Sequence, residues 1–221
     1  MAEARRLSVA VALTVGLATT APRVPLPDTA GTLLAQALPS SYRIVDGWAR
    51  LPGGKPLGAV GKVDVDRDGR HIWAIVRCEA LADPARFGDE CRDSRMDPVY
   101  RFGPDGKVVT SFGGGLFIWP HGLEVDPDGN IWVTDAVAAN RIPRGDMRGH
   151  QVVKFSPDGK VLMRLGTLGV AGSGPDHFNS PSDVVVAPNG DVFVADGHNE
   201  VGNPPGRDEG QLRDYSRVRG A

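Results

Sequence analysis

The sequence predicts an all-β protein, a partial β-propeller of about two and a half four-stranded blades. Three observations predict it. The first is the stretch from Trp119 to Asp135, which reads as two short strands, Leu123 to Asp126 and Ile131 to Asp135, joined by Pro127-Asp128-Gly129-Asn130. Proline presets φ there and glycine supplies the left-handed position, so the stretch is a hairpin. The second is that this hairpin recurs: Pro181 to Asp196 puts Pro181 on Pro120, Gly190 on Gly129 and Asp196 on Asp135, and a looser copy runs from Val60 to Arg77. The third is a different hairpin between the copies, Val99 to Gly113, repeated as Val152 to Gly166. Two hairpins per unit make four strands, and no segment shows the 3.6-residue apolar spacing of a helical repeat.

Composition agrees with this class. The chain has 221 residues, 41% hydrophobic, with 29 glycines and 18 prolines, which suits short strands with a turn every ten residues or so. A formal charge of −2 argues against nucleic acid as a partner.

At the N-terminus, Arg5 and Arg6 precede an uncharged apolar run, Leu7 to Ala18. It is too short for a stable membrane span, so residues 1–21 read as a signal peptide, with Ala18 and Ala21 as candidate cleavage positions. The expected location is secreted or periplasmic. Residues 22–40 read as a flexible, proline-bearing spacer.

Residues 41–57 look like a strand and a turn of the kind that supplies the outer strand of a closing blade. Blade one covers about 60–113, interrupted by a loop at 79–97, and blade two about 120–166. Cys78 and Cys91 are the only two cysteines, and in an oxidising compartment they would form a disulfide; the alternative is a pair of free thiols. A third blade begins at Pro181, and the partial propeller ends near Asn199. Residues 200–221 lack apolar alternation and read as an irregular tail without a strand, as a truncation or a frameshift near residue 200 would leave it. An incomplete ring exposes strand edges, which invites self-association.

Among the five histidines, His121 stands out, because it sits on a loop between proline and glycine at the end of a strand. A neutral imidazole there is a candidate metal ligand, although one ligand does not make a site. His71, His150 and His177 read as structural or solvated. Arg77 ends an apolar strand and is either paired to a carboxylate or available to an anion. Asp126, Asp135 and Asp196 recur with the repeat and are expected to cap turn and strand-end amides.

Taken together, Phe117 to Asp135, Gly149 to Phe155, Phe178 to Val186 and Val192 to Gly197 resemble the peptidyl-α-hydroxyglycine α-amidating lyases among the six-bladed NHL-repeat propellers. The match runs from about Tyr42 to Asn199 and corresponds to the N-terminal half of that family's catalytic domain. The resemblance implies cleavage of a hydroxyglycine-extended peptide to the amide and glyoxylate, zinc on three histidines and calcium in the central channel. It implies His121 as the first zinc ligand, Leu123 as a calcium ligand through its carbonyl, and Arg77 as the active-site arginine. The family's catalytic tyrosine follows an Asp-Gly pair where this chain has Asp196-Gly197-His198, so His198 is the candidate base. With one zinc histidine and a substituted base, the expectation is a lyase-like chain that is inactive alone and takes a peptide or small molecule at the propeller axis. The alternative is a non-catalytic propeller that binds protein or peptide.

Overall fold

A computed structural model describes residues 42–55, 57–78 and 87–198 and the backbone of 211–215. The expected signal peptide and spacer lie outside these. Tyr42, Arg43 and Ile44 belong to a separate N-terminal unit and are exposed. The body begins at Val45.

The body is three antiparallel sheets. Blade one is β1 (Val60–Val65), β2 (Ile72–Val76), β3 (Val99–Phe102) and β4 (Val108–Phe112), paired in that order. Blade two is β5 (Pro120–Val125), β6 (Ile131–Asp135), β7 (Gln151–Phe155) and β8 (Val161–Leu165). Blade three holds β9 (Pro181–Val186), β10 (Val192–Asp196) and β11 (Gln211–Tyr215).

Two expectations are corrected here. The tail is not strandless, because β11 pairs with β10 along its whole length, from Val192 opposite Tyr215 to Asp196 opposite Gln211. Backbone pairing needs no apolar alternation, which is why the sequence pattern missed it. Residues 41–57 supply no strand among the described positions; they form a 3-10 turn at Pro52–Gly54 and one bridge, Arg50 to Lys107. The two glycines in Pro52-Gly53-Gly54 both take positive φ, which breaks an extended run.

Blades stack face to face, and the middle strands are buried on both sides. Trp73, Val99 and Phe112 of blade one meet Leu123, Val133 and Phe155 of blade two in one apolar layer. Trp132 and Val152 meet Phe178, Val184 and Val194 of blade three in the next. Each fully buried aromatic ring here is worth about 2–3 kcal/mol of transfer free energy. At the centre the innermost strands nearly touch. A Cβ on Gly122 would lie 2.6 Å from both Asp183 Cα and Ser182 O, so only glycine lets β5 approach β9.

The turns are held by the repeat aspartates, as expected. Asp126 accepts from Asp128 N at 3.0 Å, Asn130 N at 2.8 Å and Trp132 Nε1 at 3.0 Å, and Gly129 takes φ +85°. At the other end of the blades, buried Asp135 accepts from Ile118 N at 3.0 Å and Trp119 N at 2.8 Å, and Asp196 accepts from Asn179 N at 2.7 Å. These carboxylates fix the loops that enter β5 and β9.

Candidate functional site

Those fixed loops carry the site. Asp135 pins the backbone of Trp119, and two residues on His121 turns from the start of β5 toward blade three. Its Nδ1–H donates to the Ser182 carbonyl at 2.9 Å, which leaves Nε2 as the free lone pair. Burial holds its pKa below the ordinary histidine value against the pull of that hydrogen bond, with His198 and Arg77 pushing the same way as burial. His121 is therefore a neutral imidazole at pH 7.

His198 follows β10 and reaches the same place. Its ring lies 4.4 Å from that of His121 and 5.3 Å from that of Trp119, centroid to centroid. Its pKa is also lowered, by burial first and then by Arg77, although the side chain remains exposed.

Arg77 arrives from the end of β2. Its guanidinium carbon lies 4.7 Å from the centroid of Trp119 and 5.7 Å from that of Phe87, and the residue is only 7% exposed. Stacking of this kind contributes on the order of 1–2 kcal/mol once water is excluded. Glu90 Oε1 faces Arg77 Nη1 at 3.6 Å, an ion pair wider than a hydrogen bond. Burial lowers the arginine pKa and Glu90 works against that shift, so the group stays charged. Among the described residues, Arg77 Nε and Trp119 Nε1 are both buried donors without a hydrogen-bond partner. The stack thus holds two donors with unused hydrogen-bonding capacity beside two neutral imidazoles, which is the chemistry an anion would satisfy.

The loop that closes this stack is tied down by the Cys78–Cys91 disulfide, and Cys91 N donates to Ile118 O at 3.1 Å. Thus Arg77, His121 and His198, drawn from three blades by sequence, stand together. Leu123 does not join them: its side chain is fully buried in the layer between blades one and two, and it can offer a ligand only its main chain. Trp119, Glu90, Phe87 and Ser182 were not singled out by the sequence. The one signal near Glu90 is the expected Cys78–Cys91 bridge, which brings the backbones beside Arg77 and Glu90 near one another without setting where their side chains point.

His150, opening β7, is fully buried at φ +50° and accepts from Ser180 N through Nδ1 at 3.1 Å, a structural role. His71 pairs with Asp68. No group of three His, Cys, Asp or Glu side chains that could hold a metal occurs among the described residues. The residues described thus do not by themselves fit a zinc site on His121. No helix among them is long and apolar enough to cross a membrane.

The NHL-repeat family model matches residues 117–142 and 178–200, the two segments that carry His121 and His198. A probable peptidyl-alpha-hydroxyglycine alpha-amidating lyase of Caenorhabditis elegans is 36% identical over 151 residues, 65% of this chain and 40% of that protein. The chain carries NHL repeats and is similar over part of its length to an amidating lyase. A peptidyl-alpha-hydroxyglycine alpha-amidating lyase of Drosophila melanogaster is 44% identical to this NHL chain over 96 residues, 42% of this chain and 16% of that protein. The peptidylglycine alpha-amidating monooxygenase of Rattus norvegicus is 41% identical over 158 residues, 67% of this chain and 14% of that protein. The chain therefore spans 40% or less of the length of these relatives.

Proposed function

We propose that this NHL propeller receives the anionic end of a peptide or small molecule on the Arg77–Trp119 stack, at a site of amidating-lyase type that is inactive in this chain alone. The observation that carries it is the pair of buried, unpartnered donors, Arg77 Nε and Trp119 Nε1, on a stack whose indole ring also packs against the rings of His121 and His198. Arg77 would hold a carboxylate and stabilise charge that develops on a departing fragment. His198, exposed and neutral, is the group able to take a proton from a substrate hydroxyl at pH 7. His121 would orient the ligand through Nε2. By the family resemblance His121 and the Leu123 carbonyl are single contributions to a zinc and a calcium site that the described residues do not complete. Export is part of the proposal, supported by the Leu7–Ala18 run and by the disulfide.

The test is calorimetry of the purified 221-residue protein with an N-acyl-α-hydroxyglycine, alongside a glyoxylate assay with and without zinc. Binding that weakens at least tenfold in Arg77→Met, with no glyoxylate released, is the expected result. Binding indifferent to Arg77 would remove the anion receptor, and zinc-dependent glyoxylate release would remove the claim of inactivity.

A further inference from the structure

Arg77 is buried, charged and stacked, yet one of its donors is unspent, and something must hold it in that condition. Three facts bear on how. Glu90 is 2% exposed and stands 3.6 Å from the guanidinium, close enough to neutralise it but too far to consume a donor. The other carboxylate oxygen is occupied, since Gly88 N donates to Glu90 Oε2 at 3.0 Å, so the carboxylate cannot swing round and close a bidentate pair. The residue after each partner is a cysteine of the one disulfide, whose Cys78 N also donates to Cys91 Sγ at 3.1 Å. The backbones that carry the two charges are thereby locked at a fixed spacing.

We infer that Glu90 is a positioning residue: it compensates the Arg77 charge from a distance and keeps the guanidinium on Trp119 with its Nε–H free for an incoming anion. The inference rests on the anion-receptor reading for its purpose, but its geometry is independent of any ligand. A hydrogen-bonded carboxylate would satisfy Arg77 and abolish the receptor. No carboxylate at all would leave a buried cation uncompensated and drive it toward water.

The test needs no substrate. Hydrogen exchange of the Arg77 Nε–H, followed by NMR on the full chain, reads the guanidinium directly, with the Val133 and Val153 amides as reporters of an intact fold. Glu90→Gln, equal in size and uncharged, is expected to speed exchange at least tenfold while both reporters keep wild-type protection. Glu90→Asp, which restores the charge one methylene further back, is expected to fall between the two, and it carries the comparison if Glu90→Gln does not fold. Wild-type exchange in Glu90→Gln, or in Glu90→Asp should that variant stand alone, would overturn the inference. Failure of ligand binding in the calorimetric experiment would leave this exchange result unaffected, so the two readings fail separately.

Discussion

Blades two and three are written from the same hairpin and differ in what they add to it. In both, an aspartate at the end of the second strand caps the loop entering the first: Asp135 holds Ile118 and Trp119, and Asp196 holds Asn179. In both, a register shift falls at the start of the innermost strand, near Pro120 and near Pro181. At the far turn they part. Blade two repeats the network of blade one, Asp126 with Trp132 and Lys154, as Asp66 stands with Trp73 and Arg101. Blade three has Ala187 and Phe193 in those places. At the site they part again, since Ser182 occupies the position of His121 and offers only its carbonyl, to which His121 donates. The repeat builds the frame, and single substitutions within it decide chemistry.

The largest effect is expected at the contact between the two inner strands. Gly122→Val places a side chain where a Cβ already meets Asp183 Cα and Ser182 O at 2.6 Å, so a loss of 3 kcal/mol or so is expected in urea unfolding. Removing the shared cap comes next. Asp135→Ala orphans two buried amides and should cost on the order of 3 kcal/mol, with Trp119 fluorescence altered because its loop is freed.

His150 lies at the seam between the blades, accepting from Ser180 N. Burial lowers its pKa from 6.5 to about 4. The folded value lies below the unfolded one, so its stabilising contribution is complete above about pH 6.5 and is lost as pH falls toward 4. The loss is on the order of 3 kcal/mol. Urea midpoints at pH 7 and pH 4.5 should therefore converge in His150→Gln relative to wild type. Cys78→Ser with Cys91→Ser should cost about 3 kcal/mol, the value for a closed loop of this size, and the loss should vanish when wild type is assayed in reductant. The smallest effect is expected at Lys62–Asp183, an ion pair at 2.6 Å between half-exposed side chains of blades one and three. Lys62→Met should cost under about 0.5 kcal/mol, and the difference should disappear in 1 M salt.

The sequence made the strands of blades one and two legible because alternation, turn glycines and recurring aspartates all report one local geometry. It also pointed to Arg77, His121 and His198 as one group through the family resemblance, Arg77 and His198 following the second strand of their blades and His121 opening the first strand of blade two. What it concealed depends on partners distant in the chain. Glu90 lies in a loop with no repeat pattern, and only folding sets its carboxylate opposite Arg77. Trp119 reads as one more apolar residue before β5 until its ring is seen beneath a guanidinium. β11 escaped because it takes its place by main-chain pairing with β10, which leaves no mark in hydropathy.

One feature of the inner strands reaches further than stability. The proton on His121 Nδ1 is fixed by a main-chain oxygen belonging to the following blade. The tautomer of the imidazole is thus a readout of how two wedges of the ring are seated. A slight slip of blade three past blade two would exchange donor for acceptor at the other nitrogen, without altering a single side chain.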